Sequence, residues 1–520
     1  MRSSRRAREY HLTPKVLLLY PPEQSWPNTQ VKPNGSMAYP YLAAALEQAG
    51  IEVAIFDACV GSDRDDLDEV FFDPAPLPSG LLRTGVKNSR ILEEVVDFDI
   101  VGITSIFTQQ ETMVLETARL IKQAHPDKLL VAGGGNARAR LGRFLDSGFD
   151  IVCTSEAERT IVEIARVVER GSRDFGAIPD LAFRLEGGRV VQTPNAGILW
   201  NLDELPVPAW RHLPLDRYWR IRRPPGGHFR DDEALRYIPM MTSRGCPFSC
   251  SYCHIAGEKK GAASGAIGRF RAKSAERVVR ELDEIESLGA THVFIEDDSL
   301  LGRKKRGLEM LRRIRGHGFQ ILDVSGLNIV HMLDKRGEPD HEVLEALQEA
   351  RFRTIVLAFE SASQRVIERW ASNKWNVERA NVRALVKALG SYGIEVAGNF
   401  MLGWPDESRE EILHTVAYAR DRLADGLSYV NYFLVLPLPG TPLFEECLRS
   451  GHLDPGFDPD RMHWQRANLR NTRVPPAELE ELRDRAWLDT NTSSFTDYKK
   501  SMRVSAGRII DPNTGEIHNR

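Results

Sequence analysis

The sequence predicts an α/β protein in which a doubly wound parallel sheet is followed by a (β/α)6 part-barrel and a small C-terminal extension. Two series of short apolar runs alternating with amphipathic stretches point to it, one over residues 15–192 and one over 237–435. Such alternation builds parallel sheets covered by helices. Between the two series lies a Pro-, Trp- and Arg-rich stretch, 194–235, which reads as a linker.

In the first series, residues 16–20, 51–57, 99–104, 129–132 and 150–153 read as buried strands, and 39–48, 111–124, 137–147 and 158–170 as helices. Glu186-Gly187-Gly188 between two apolar runs signals a hairpin. In the second series the strands are 237–243, 291–296, 321–327, 354–359, 396–401 and 429–435, and the helices 275–288, 306–316, 341–349, 377–392 and 407–424. Six such units suit a barrel or part-barrel with its site at the carboxyl-terminal rim of the strands. The divisions are therefore a tail 1–14, a first domain 15–193, a linker 194–235, a second domain 236–450 and a polar extension 451–520, in which 509–517 reads as a small hairpin.

Composition excludes several classes. Of 520 residues, 42% are apolar and 27% charged, which is ordinary for a globular protein. Lys plus Arg is 69 against 73 Asp plus Glu, so the net charge of −4 offers no basic footprint for nucleic acid. No stretch approaches the roughly 18 uncharged apolar residues of a membrane helix. Arg5-Arg6 precedes only the short apolar run 16–20, stopped by Pro21-Pro22, which is too little for a signal peptide. A cytoplasmic protein is expected. Six cysteines do not make a disulfide scaffold. Cys59, Cys153 and Cys447 read as core residues.

Cys246, Cys250 and Cys253 fall within eight residues, spaced Cys-x3-Cys-x2-Cys. Thiolates this close can converge on one soft-metal site, and three ligands on a four-iron cluster leave one iron open. A structural zinc site would need a fourth ligand. His254 is the nearest, but it adjoins Cys253, and neighbouring residues rarely reach one tetrahedral centre. The segment Cys246-x3-Cys250-x-Tyr252-Cys253 after a first barrel strand resembles the signature of radical S-adenosylmethionine (SAM) enzymes. The resemblance implies a [4Fe-4S] cluster on the three cysteines, SAM chelated to the open iron, and reductive cleavage of SAM to a 5′-deoxyadenosyl radical. Tyr252 would lie near the adenine. Ile295-Glu296-Asp297-Asp298 and Ala358-Phe359-Glu360-Ser361 resemble the family's second- and fourth-strand ends. The 399–407 stretch resembles its Gly-Leu-Pro-Gly-Glu segment, with Trp404 and Asp406 as departures. These implicate Glu296, Glu360, Ser361 and Asn399 in SAM binding.

The first domain resembles the cobalamin-binding domain that precedes the barrel in cobalamin-dependent radical SAM enzymes. Its strand ends carry Tyr20-Pro21-Pro22, Thr104-Ser105, Gly133-Gly134-Gly135 and Ser155-Glu156-Ala157-Glu158, the last where many members have Gly-Glu-Gly-Glu. The resemblance implies a Rossmann-like cobalamin domain, a radical SAM partial TIM barrel, and corrin contacts from Thr104, Ser105, Gly133, Gly134, Gly135, Ser155 and Glu156. No Gly-x-Gly-x-x-Gly with a downstream acid supports a nicotinamide site. Residues 20–36 contain no histidine, so a lower histidine ligand to cobalt is not expected.

The leading functional reading is a cobalamin-dependent radical SAM methyltransferase acting on an unactivated carbon of a small molecule in biosynthesis. An external electron donor of flavodoxin or ferredoxin type would reduce the cluster. A non-methylating rearrangement or cyclisation with the same cofactors is second, and a cobalamin or redox sensor third. Arg461, His463, Trp464 and Arg466 read either as contacts to an anionic substrate, in a pocket shaped by Cys447 and residues 455–505, or as scattered polar residues of the surface, the reading preferred here.

Overall fold

The computed structural model describes residues 13–27, 29, 31–33, 35–224, 235–259, 261–496, 508–510 and 517–519. In the first domain, β1 (Val16–Tyr20), α1 (Ala38–Gln48), β2 (Val53–Asp57), β3 (Ile100–Thr104), α2 (Glu111–Ala124), β4 (Leu129–Gly133), β5 (Ile151–Cys153) and α3 (Glu158–Glu169) alternate as the apolar periodicity demands. The hairpin strands β6 (Leu181–Arg184) and β7 (Val190–Gln192) follow. The sheet order is β7-β6-β5-β4-β3-β1-β2. β1 to β5 run parallel, and the hairpin adds two antiparallel strands. Apolar clusters cover both faces, as a parallel sheet requires.

The second domain holds β8 (Tyr237–Met240), the short antiparallel pair β9 (Ser243–Arg244) and β10 (Arg271–Ala272), α4 (Ala275–Ser287), β11 (His292–Ile295), α5 (Lys304–Ile314), β12 (Gln320–Asp323) and α6 (His341–Glu349). It continues through β13 (Phe352–Glu360), α7 (Gln364–Trp370), α8 (Val382–Ser391), β14 (Glu395–Leu402), α9 (Arg409–Asp425), β15 (Tyr429–Leu434) and α10 (Pro442–Arg449). Its six-stranded sheet, β8-β11-β12-β13-β14-β15, is parallel throughout and open between its edge strands. The part-barrel expected from six strand-helix units is therefore present.

Several expectations need correction. The helix expected over 137–147 divides into Gly135–Ala139 and Leu141–Asp146, breaking at Arg140, whose guanidinium turns to Glu111 and the Phe457 ring. The helix expected from 377 starts at Val382, because Asn381 caps it by accepting Ala384 N–H at 3.1 Å. The stretch read as a linker is folded. Trp210 donates to the Pro239 carbonyl at 3.0 Å, and Tyr218 donates to Asp57 at 2.6 Å, so it joins both domains. The polar extension is also integral. Its helix α11 (Pro476–Thr490) lies on β15, with Thr490 bonded to Tyr432 at 3.0 Å. Just beyond it, Phe495 stacks on Tyr429 at 4.4 Å and closes the floor of the part-barrel. Strands Arg508–Ile510 and Ile517–Asn519 pair antiparallel, as the hairpin reading expects, while the connecting residues and the tail before Thr13 lie outside the described residues.

Candidate active site between the two strand rims

The cysteine loop leaves β9 at the carboxyl-terminal rim of the part-barrel. All three thiols are free. Two acids at the end of β11 hold the loop's entry. Asp297, fully buried, accepts Thr242 N–H at 2.5 Å and the hydroxyls of Thr242 and Ser243 at 2.7 and 2.5 Å. Asp298 accepts Gly245 N–H at 2.8 Å, and Gly245 takes a φ of 74° that favours glycine. Further along, Ser251 donates twice to the Trp370 carbonyl, at 2.8 and 3.0 Å. Burial pushes the Cys250 thiol up to about 11 and that of Cys253 to about 12, although the Lys374 ammonium pulls Cys250 down. The His254 ring is committed to the Pro439 carbonyl at 3.0 Å, so a three-thiol set is what the loop presents. Among the described residues these sulfurs do not gather within 4.8 Å of one another.

Tyr252 and Glu360 meet. The Tyr252 hydroxyl donates to Glu360, and so does the ammonium of Lys374. Lys374 and Glu360 are 5% and 8% exposed in their side chains. Glu360 sits at a φ of 60°, strained for a non-glycine residue. Tyr252 also packs edge-on against Trp404, at 5.4 Å. Glu296 is half-buried at the end of β11, its N–H on the Met240 carbonyl at 2.9 Å. Asn399 projects from β14 and accepts from Asn431 at 2.9 Å. Ser361, by contrast, is fully buried and turned to Thr415 on α9 at 3.2 Å.

Phe359 and Phe400 stack at 4.6 Å and meet Tyr418 of α9, which fixes the helix-facing side of β13 and β14. Their neighbours therefore face the lumen. Ala358, Asn399, Met401, Asn431 and Phe433 on that face stay half-exposed, whereas Phe359, Phe400, Leu402, Tyr432 and Leu434 are buried. The part-barrel thus contains open space, reached from its rim.

Across from that rim stand the strand ends of the first domain. Thr104 donates its N–H to the Tyr39 hydroxyl at 2.9 Å. The Ser105 hydroxyl accepts from Asn136 at 3.0 Å, and its N–H donates to the Gly133 carbonyl at 2.8 Å. Gly134 has a φ of 98°, and a Cβ there would lie 2.3 Å from the Ser105 carbonyl oxygen, so only glycine fits. Gly133 and Gly135 are half-exposed, and a Cβ on Gly133 would meet nothing within 4 Å. That open glycine ledge is the kind of surface a flat macrocycle can approach. At Ser155 and Glu156, where the resemblance implies corrin contacts, the side-chain polar atoms bond the second domain. Ser155 donates to the Ser264 carbonyl at 2.7 Å, and Glu156 takes Arg271 on both oxygens at 2.8 Å.

The gap between the rims is walled by Phe107, which the sequence left unassigned, and by Trp464 of the extension. Phe107, 48% exposed, meets Trp464, 37% exposed, edge-to-face at 6.5 Å. The Trp464 carbonyl accepts from Leu434 at the end of β15, at 2.7 Å. His463 brings a histidine to the 20–36 loop from far along the chain. Its Nε2 lies 3.4 Å from the Thr29 hydroxyl, and its Nδ1 accepts Gln465 N–H at 3.1 Å, so both nitrogens are engaged.

Comparison with known proteins agrees with this arrangement. Residues 240–419 match the Radical SAM superfamily model, and residues 35–165 match the B12 binding domain model. The chain belongs to the cobalamin-dependent radical SAM enzymes. Over 476 residues it is 26% identical to cytidylyl-2-hydroxyethylphosphonate methyltransferase of Streptomyces wedmorensis, covering 85% of this chain and 83% of that one. An uncharacterized methyltransferase of Pyrococcus horikoshii is 28% identical, with 84% of each chain covered. The fold matches that of the radical SAM methyltransferase TsrM of Kitasatospora setae, solved with cobalamin and a [4Fe-4S] cluster. That match has a TM-score of 0.62 at 17% identity and covers 86% of this chain and 77% of that one. The cofactors of this family are a [4Fe-4S] cluster, SAM and cobalamin, and the three-thiol loop, the half-open lumen and the glycine ledge fit them in turn. No helix among the described residues is long and apolar enough to cross a membrane.

Proposed function

We propose that this radical SAM enzyme methylates an unactivated carbon of a small molecule in a biosynthetic route, in the cytoplasm, with electrons from a flavodoxin- or ferredoxin-type donor. The observation that carries the reading is the three-thiol loop on one strand rim facing a glycine ledge on the other, with half-exposed aromatic residues between them. When bound, the cluster and SAM supply a carbon-centred radical and cobalamin a transferable methyl group. In this reading Cys246, Cys250 and Cys253 hold the cluster, fixed by Asp297 and Asp298. Tyr252, Glu360, Glu296 and Asn399 bound the SAM site, and Ser361 acts by holding the end of β13 to α9. Thr104, Ser105 and Gly133 to Gly135 form the ledge for the corrin. Phe107 and Trp464 exclude water from the gap, which protects a radical and holds reactants at short range. Among the described residues His463 is the one that reaches the 20–36 loop, and its nitrogens are engaged by Thr29 and Gln465, which supports a cobalamin site without a lower histidine ligand.

The test uses anaerobically purified protein, deuterated-methyl SAM and candidate substrates from the genomic neighbourhood. A labelled methyl group in the product, with S-adenosylhomocysteine and 5′-deoxyadenosine in about equal amounts, is expected. Conversion with 5′-deoxyadenosine but no label and no S-adenosylhomocysteine replaces methyl transfer by rearrangement. Iron retained in full by a triple Cys→Ala variant would remove the basis of the reading.

A further inference from the structure

The polar turn at residues 155–158 and the cysteine loop lie in different domains, yet they are in direct contact. Arg244, two residues before Cys246, bonds Glu158 at 2.5 Å and Glu156 at 3.2 Å. Arg271, its partner across β9 and β10, takes Glu156 bidentately and is 1% exposed in its side chain. Glu158 and Glu156 thus pair the Arg244 guanidinium from two sides. Two further contacts follow. Ser155 reaches the Ser264 carbonyl, and Arg138, at the end of the glycine ledge, bonds Glu258. Gly135 itself faces the His254 ring, where a Cβ would come within 3.5 Å. Apart from Arg271, every contact lands on the segment 244–264, which contains all three cysteines.

We propose that the 155–158 turn is a positioning clamp: it fixes the cysteine loop against the cobalamin domain and neutralises the arginine beside the cluster. Glu156 and Glu158 are thus positioning residues rather than corrin contacts. The proposal rests on the cluster reading above and deepens it. Its geometry explains why two carboxylates are needed on one turn: Glu156 spans both arginines, while Glu158 serves Arg244 alone. Bidentate carboxylate–guanidinium pairs fix orientation as well as charge. The clamp also couples the two cofactor sites mechanically, because Arg138 and Gly135 leave the same ledge that Gly134 shapes.

The test compares Glu156→Gln, Glu158→Gln and Ser155→Ala in the full, cobalamin-loaded protein. The readouts are the rate of iron loss to a chelator and the midpoint potential of the cluster. Glu52→Gln, on the exposed Lys15–Glu52 pair at the opposite end of β1, controls for a general change of charge. Both Glu→Gln variants are expected to lose iron about tenfold faster and to shift the reduction equilibrium about tenfold toward the reduced cluster, about 59 mV more positive for one electron. The sign follows because the Arg244 charge is no longer fully balanced, which favours the form holding an extra electron. Ser155→Ala is expected to speed iron loss without moving the potential, a split that a merely structural role would not produce. Glu52→Gln is expected to change neither. Should the Glu→Gln variants fail to fold, Arg138→Gln repeats the chelation arm at a partly open pair. Wild-type protein that binds iron, with variants indifferent in both readouts, overturns the clamp alone. Wild-type protein that binds no iron overturns the cluster reading first.

Discussion

Lys374 is the residue whose removal most directly interrogates the SAM side of the site. Its ammonium and the Glu360 carboxylate form a pair almost entirely removed from water, and the Tyr252 hydroxyl is the other donor to Glu360. Lys374→Met keeps much of the side-chain volume and deletes the charge. The carboxylate is then buried against one neutral hydroxyl at a strained backbone position. Breaking a buried pair from one side costs about 3–5 kcal/mol. For a domain near 200 residues, that predicts a fall in melting temperature of about 6–20 °C. Protonation relieves the stranded charge. The deficit is therefore expected to be smaller at low pH than at neutral pH. Lys374→Met/Glu360→Gln removes both charges and is expected to recover most of the loss. Anaerobic thermal melts of wild type, both single variants and the double variant between pH 4.5 and 8.5 measure this, alongside SAM binding by equilibrium dialysis. If Lys374→Met melts within 2 °C of wild type at pH 8, with no pH dependence, the buried pair contributes nothing and the reasoning fails.

Glu407 is fully buried, accepts Gly403 N–H at 2.7 Å and Trp404 N–H at 3.2 Å, and burial raises its carboxyl to about 8. Its stabilising effect is fully present below the unfolded value and is lost as pH rises through 8. Glu407→Gln is therefore expected to match wild type at pH 5 and to exceed it above pH 8, by up to about 3–5 kcal/mol; equal stabilities at pH 9 would refute this. Gly134→Ala, where a Cβ meets the Ser105 carbonyl oxygen at 2.3 Å, is expected to cost about 1–3 kcal/mol in backbone strain and to reduce corrin retention after gel filtration by about tenfold with iron content unchanged. Gly133→Ala has open space around its Cβ and is expected to fold normally, so corrin loss in that variant reports direct contact with the macrocycle.

What was legible in the sequence was local or periodic. Strands β1 to β5 and β8, β11, β13, β14 and β15 follow from apolar runs, because a strand buried on both faces needs no partner to declare itself. The three cysteines declare themselves by spacing. The partners of those residues were not legible, because they are set by contacts between distant segments. Glu156 and Arg271 are 115 positions apart, so no window over the chain relates them. Lys374 stands in a polar stretch with no motif to mark it, and it is the fold that buries it against Glu360. The extension misled for a similar reason. Its polar composition is real, yet isolated apolar residues such as Phe495 and Trp464 contribute contacts, and isolated residues leave no periodic trace.

The departures from the family pattern at Trp404 and Asp406 have one physical explanation in common. Trp404 stacks on Trp370 at 6.0 Å, and Asp406 accepts the Trp370 indole N–H at 2.9 Å. Asp406 is also paired with Arg365 at 2.6 Å, and burial notwithstanding, the Trp370 and Arg365 donors hold its carboxyl below the ordinary range. Trp370 in turn ends α7, and its carbonyl receives both donors of Ser251 in the cysteine loop. A small flexible turn would leave α7 and the cysteine loop unbraced on this side. A tryptophan pair fixed by an aspartate braces them with large rigid rings that cost little side-chain entropy to order. Tyr252 rests on the same Trp404 ring, so the two substitutions stiffen the wall that the proposed SAM site shares with the cluster loop. Replacing Trp404 removes the ring on which Tyr252 rests, and replacing Asp406 frees the Trp370 indole against which Trp404 stacks, so either change alone is expected to loosen Tyr252.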